Sequence, residues 1–161
     1  MAIKVGDRVP SGTFTVMTAE GPKPKTTDEL FKGKRVALFA LPGAFTPTCS
    51  AKHVPGFKQH AGELKAKGID AIACLSVNDA FVMKAWAKDQ GVTDEILFLA
   101  DGNGDFTKAV GLTMDATGYG MGTRSQRYAM VVDNGVVKTL NVEDSPGKAE
   151  ASGADNLLKG L

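Results

Sequence analysis

The chain has 161 residues, 43% hydrophobic and 23% charged, a globular balance on the scale of roughly 100–200 residues per domain that excludes global disorder. Lys and Arg number 19 against 18 Asp and Glu, for a net charge of +1; neither a nucleic acid nor a membrane surface is the expected partner. Two cysteines, Cys49 and Cys74, are too few for a secreted disulfide scaffold or a four-cysteine metal site, and the expected setting is a reducing cytoplasm.

The opening MAIKVGDRVP lacks the apolar stretch of a signal peptide, and no apolar run approaches the ~20 residues of a bilayer span. Turn formers crowd the first 30 residues, with a short strand from Thr13 among them. A brief helical turn begins near Thr26 and stops at Gly33. Arg35–Leu41 reads as a strand buried on both faces. PGAFTPTC, residues 42–49, leads into a helix expected to reach Lys67, with a kink at Pro55. Ile69–Val77 is a second buried strand, followed by a helix over Ala80–Gln90 capped by Asn78 or Asp79, with Trp86 on its buried face. Ile96–Ala100 is a third strand and Phe106–Val110 a short helix. Arg127–Val132 and Val136–Val142 flank Asp-Asn-Gly, a strong hairpin signal, and a terminal helix covers Asp155–Leu161. Three strands joined by helical crossovers should be parallel, with the hairpin adding antiparallel strands. The whole, residues 1–161, reads as a single α/β domain with a central mixed sheet flanked by helices, an order that resembles a thioredoxin-like sandwich.

Cys49 is the most informative residue. It lies in the first turn of a predicted helix after a buried strand, where unpaired N–H groups and the helix dipole favour a thiolate. Thr46, three residues earlier, can offer a hydroxyl to the sulfur or to a substrate oxygen. The alternative is an inert buried thiol.

PGAFTPTCS (42–50) resembles the active-site loop of peroxiredoxins, Pro-x-x-x-Thr-x-x-Cys, supplied here by Pro42, Thr46 and Cys49. Together with HVPGF (53–57), ACLSVNDAFV (73–82) and RYAMVVDNG (127–135), it resembles the Prx5 subfamily, the type II peroxiredoxins. The resemblance implies a thiol peroxidase acting on hydrogen peroxide and organic hydroperoxides, in antioxidant defence. Cys49 would attack the peroxide and become a sulfenic acid. Arg127 and Thr46 would stabilise charge, and Pro42 would shield the sulfur. Gly43, Phe45 and Thr48 would line the substrate pocket, and Arg124 is a second arginine offset from the family position. No cofactor is implied. The same cysteine could instead serve a non-catalytic redox sensor, which would react once and wait for its partner.

Cys74, in the apolar run AIACL, is either core filler or a resolving cysteine. Some plant members of the subfamily carry a cysteine there, whereas animal members resolve near the C-terminus, where this chain has AEASGA (149–154). The reading leans to an external reductant, glutathione with glutaredoxin or else thioredoxin, with Cys74 structural. The resemblance also implies a homodimer through the active-site loops. Cys49, His53 and His60 share a helix face, but a fourth ligand is lacking and no metal is expected. His53, if charged, would aid the thiolate. DGNGD (101–105) fails the calcium-loop pattern and reads as a capped loop, and GYGMG (118–122) reads as a flexible loop near Arg127.

Overall fold

The computed structural model describes residues 2–145 and 147–161. Its strands are β1 (Thr13–Thr18), β2 (Gly21–Thr26), β3 (Arg35–Leu41), β4 (Ala71–Ser76), β5 (Leu97–Ala100), β6 (Thr113–Asp115), β7 (Thr123–Ser125), β8 (Tyr128–Asp133) and β9 (Val136–Val142). The α-helices are α1 (Thr27–Phe31), α2 (Val54–Gln59), α3 (Ala61–Ala66), α4 (Ala80–Asp89), α5 (Asp105–Ala109) and α6 (Ala154–Lys159), with a π-helical turn over Cys49–His53.

Seven strands form one sheet in the order β2-β1-β5-β4-β3-β8-β9. β3, β4 and β5 run parallel, and β8 joins β3 antiparallel, as the crossover pattern requires. The β8–β9 hairpin closes with Asp133 opposite Val136, Asn134 and Gly135 at φ 49° and 83°, the left-handed pair of a tight primed turn. This is the mixed sheet flanked by helices expected of the sequence.

Side chains alternate across β3, so the sheet has two cores. Ala37, Phe39 and Leu41 face Cys49, Phe57, Cys74 and Trp86 on one side, whereas Val36, Leu38 and Ala40 face Phe14, Phe31 and Met130 on the other. The candidate site therefore belongs to one layer, between β3, β4 and the helices after Cys49.

Three elements differ from expectation. β2 reads as turn because of Pro22 and Pro24, yet it is an edge strand paired with β1. Two residues apart, both prolines turn their missing donor the same way, which an edge tolerates. The small β6–β7 pair carries too short an apolar pattern to be seen in sequence. The helix after Cys49 breaks at His60 (φ −97°, ψ 10°), not at Pro55, which sits in the first turn of α2. In an α-helix Ala51 would need the N–H of residue 55, which proline lacks. The chain instead widens into the π turn, whose cap bond runs from Val54 N to Cys49 O.

Candidate active site

The loop after β3 is fastened before it delivers its cysteine. Asn78, expected as a helix cap, leaves that task to Asp79, whose carboxylate accepts from Val82 N at 2.8 Å. Its own Oδ1 accepts from Ala44 N at 3.0 Å and from the Ser76 hydroxyl at 2.5 Å, which binds the loop to the end of β4. Arg124 donates to Met121 O at 2.9 Å and to Pro42 O at 3.3 Å. It braces the loop and does not reach the sulfur. A Cβ on Gly43 would stand 3.0 Å from Arg124 Nη1 and 3.3 Å from Thr46 Cγ2, so a larger residue would press on both side chains. Met121 also flanks Gly43, which puts the GYGMG loop at the mouth of the site. Pro42 is buried, Phe45 projects at φ 64° with its ring 6.5 Å from that of Trp86, and the Thr48 hydroxyl donates to Gly147 O at 3.2 Å.

Cys49 is fully buried and its sulfur meets two polar groups. Arg127 Nη2 donates to Sγ at 3.0 Å. Thr46 Oγ1 lies 2.8 Å from Sγ and 2.7 Å from Gly43 O. The hydroxyl has one hydrogen for two acceptors. With a thiol it can donate to Gly43 and accept from sulfur; with a thiolate it can turn its hydrogen to the sulfur. Beneath this, Trp86 Nε1 donates to the Ser50 hydroxyl at 3.0 Å, locking the residue next to Cys49 onto α4.

His53 plays a part that the sequence did not reveal. Its Nε2 lies 3.0 Å from Ser152 O and its Nδ1 2.9 Å from Arg127 Nη1. A carbonyl only accepts and a guanidinium only donates, so the ring is the neutral Nε2–H tautomer. Burial first, and the Arg127 charge second, push its pKa down to about 3, against the pull of the Ser152 carbonyl. The expectation that a charged His53 aids the sulfur is therefore corrected: the ring is neutral and holds the arginine. His60 stands apart, bound to Glu63 at 2.9 Å and Asp155 at 2.8 Å.

This buried imidazole makes stability fall on the acid side. The unfolded chain protonates His53 near pH 6.5, whereas the fold resists until about pH 3. Between those values the unfolded state holds more protons. The stabilisation is whole above about pH 6.5 and declines by up to about 1.4 kcal/mol per unit as pH falls toward 3. Urea unfolding at pH 7, 6 and 5 should show that decline, and a His53→Gln variant should show a flatter one. Equal slopes for the two proteins would contradict the assignment.

Cys74 is fully buried on the same layer, opposite Phe39 of β3 and Phe98 of β5. Burial, reinforced by the nearby Cys49 and partly offset by Arg127, pushes its thiol well above the ordinary range. A thiol so held is a poor nucleophile.

Known proteins give this geometry a family. A model of the Redoxin family matches residues 4–158. The chain is 52% identical over 164 residues to the chloroplastic Peroxiredoxin-2E of Arabidopsis thaliana, covering 99% of this chain and 70% of that protein. It is 48% identical over 160 residues to Peroxiredoxin-2B of the same plant, covering 99% and 98%. Among solved structures it resembles the reduced Prx3 of Vibrio vulnificus in complex with hydrogen peroxide, with a TM-score of 0.92, 55% identity and 98% of each chain covered. Peroxiredoxin 5 of Alvinella pompejana gives a TM-score of 0.85 at 32% identity, with 98% of this chain and 97% of that one covered. On a thioredoxin-like mixed sheet carrying a buried cysteine between threonine and arginine, the chain belongs to the peroxiredoxins, in their type II branch, and is a thiol-dependent peroxidase.

Proposed function

We propose that Cys49 is the peroxidatic cysteine, that Arg127 and Thr46 carry the developing charge, and that an external thiol completes the cycle. The Cys49 thiolate attacks one peroxide oxygen. An S–O bond forms as the O–O bond breaks, and the leaving oxygen takes a proton to depart as water or an alcohol. Arg127 offers a planar fork whose Nη2 already points at the sulfur, and Thr46 can shift its hydrogen as charge builds. Pro42 covers the sulfur, while Gly43, Phe45 and Thr48 shape the approach. Hydrogen peroxide and small organic hydroperoxides are the substrates that suit a buried sulfur. The single observation that carries this reading is the 3.0 Å contact from Arg127 Nη2 to Cys49 Sγ.

For the return half, glutathione condenses with the sulfenic acid, releasing water and leaving a mixed disulfide. Glutaredoxin, or a second glutathione, then releases the thiol. Cys74 supports this assignment by its burial in mid-sheet and its raised pKa, both adverse to attack on Cys49. A peroxide-consumption assay coupled to glutaredoxin with glutathione should turn over repeatedly, and Cys74→Ser should keep more than about half of that rate. A folded but inactive Cys74→Ser variant would make Cys74 the resolving residue. The free cysteines and the glutathione-dependent cycle fit a reducing compartment, for which we propose the cytoplasm.

We also propose a homodimer through the active-site loops. Phe45, Phe81 and Tyr119 expose 52%, 67% and 84% of their surface. Phe45 is in the loop that carries Cys49; Phe81 lies three residues from Asn78, which accepts from Ala44 N of that loop, and Tyr119 lies two residues from Met121, which flanks Gly43. Exposed aromatic groups of this kind mark contact surfaces. Sedimentation of the reduced protein at micromolar concentration should read a dimer; a monomer there would overturn the proposal.

A further inference from the structure

Arg127 is aimed at the sulfur, and the residues that aim it lie outside the loop 42–50. From Nη1 the bonds pass to His53, and from His53 to Ser152 O. The Ser152 backbone N–H and hydroxyl both donate to Glu143 Oε2, each at 2.6 Å. Glu143 N then donates to Arg127 O at 2.9 Å. A ring of hydrogen bonds thus leaves Arg127 by its side chain and returns to its backbone. Arg127, His53, Ser152 and Glu143 are all buried, at 2%, 1%, 0% and 8% exposure.

We propose that Glu143 is a positioning residue for peroxide reduction: by clamping Ser152 it holds the His53 ring where its Nδ1 accepts from Arg127, and so keeps the guanidinium on Cys49. The inference rests on the roles given above to Cys49 and Arg127. One carboxylate oxygen takes two donors of the same residue, which fixes Ser152 at its backbone and at its side chain together. The backbone N–H can only donate, so the shared oxygen is an acceptor at the centre of the clamp. The Ser152 carbonyl shares a peptide plane with Gly153 N, which donates to Glu150 O at 3.1 Å. The turn holds that plane from one side, and the clamp on Ser152 N and Oγ holds it from the other. If that carbonyl turns away, the His53 Nε2–H loses its acceptor and the ring its anchor. The Nδ1 lone pair can then turn off Arg127 Nη1, and the guanidinium loses the contact that seats it.

The test is the rate of sulfenic acid formation in the reduced protein after one equivalent of hydrogen peroxide, by rapid quench and intact mass. Glu143→Ala should slow it about tenfold or more, the scale of a misplaced reacting group. Glu143→Gln, whose amide oxygen can accept both Ser152 donors, should stay within about threefold of wild type. Glu143→Ala added to His53→Leu should slow the reaction no further than His53→Leu alone, because both cut one path. The proposal fails if Glu143→Ala stays within about twofold of wild type, if Glu143→Gln is as slow as Glu143→Ala, or if the losses of the two sites multiply. Should Glu143→Ala fail to fold by circular dichroism, the same thresholds apply to Glu143→Asp, whose carboxylate stops one methylene short. Arg127→Leu runs beside them. If it too keeps the wild-type rate, the role of Arg127 itself is wrong; if it alone is slow, only the clamp is.

Discussion

Cys49→Ser is expected to cut peroxide consumption by on the order of 10⁴-fold or more, as loss of an enzymic nucleophile does elsewhere. The fold should survive. Serine is smaller by little more than the difference between oxygen and sulfur, and its hydroxyl can still meet Arg127 and Thr46 where Sγ met them at 3.0 and 2.8 Å. No buried donor is stranded, so the cost in stability stays near or below about 1 kcal/mol. The check is hydrogen peroxide consumption with saturating reductant, beside a thermal melt of the same sample. Residual turnover above about one tenth of wild type would place the nucleophile elsewhere, and Cys74 is the only other cysteine in the chain.

Arg127→Leu is expected to lower kcat/KM for hydrogen peroxide by about 10²–10³-fold, the usual loss when a preorganised donor to developing charge is removed. The guanidinium serves two acceptors at once, Sγ through Nη2 and His53 through Nη1. Leucine strands the His53 lone pair in a buried site, which adds about 1–3 kcal/mol of lost stability. Arg127→Lys should not rescue the rate, because an ammonium is a point charge on a flexible stem and cannot span both acceptors in one plane. Arg124→Leu supplies the contrast. Arg124 holds the carbonyls of Pro42 and Met121 and should cost less in kcat/KM than Arg127. A larger loss at Arg124 would reverse the ranking of the two arginines.

Much of this was legible in the sequence because it is written in local patterns. The apolar runs around Phe39 and Cys74 are the central parallel pair, and Asp-Asn-Gly makes its hairpin where the spacing puts it. Pro42, Thr46 and Cys49 fall within eight residues, so their meeting is a matter of one turn. Arg127 joined them only through resemblance, since nothing in its neighbours says that β8 lies beside β3. Glu143, Ser152 and His53 were beyond reach for a different reason. Each looks ordinary in its own segment, and their significance lies in contacts spanning 9 to 99 residues of sequence. An acidic residue at the end of an apolar strand was the one available hint for Glu143. Pro22 and Pro24 misled because proline excludes a central strand but not an edge. Pro55 announced a disturbance of the helix, but a kink and a π turn follow from the same missing donor, so the form it takes at Cys49 was not legible.

The arrangement also explains why two cysteines on one layer differ in reactivity. Cys49 sits where a loop becomes a helical turn and has a charged donor within 3.0 Å. Cys74 lies in the middle of a strand between Phe39 and Phe98 as its paired neighbours. Burial acts on both, but Arg127 acts on Cys74 only from a distance, too weakly to outweigh burial, whereas it donates directly to the Cys49 sulfur.

The most direct test is a single-turnover reaction read by intact mass. The reduced protein receives one equivalent of hydrogen peroxide, is trapped without reducing agent, and is measured with and without glutathione. Gain of one oxygen on Cys49, replaced by a glutathione adduct when glutathione is present, is the expected result and establishes attack by Cys49 with resolution from outside. Loss of two hydrogens would show a Cys49–Cys74 bond instead, and an unchanged mass after rapid mixing would refute Cys49 as the peroxidatic residue.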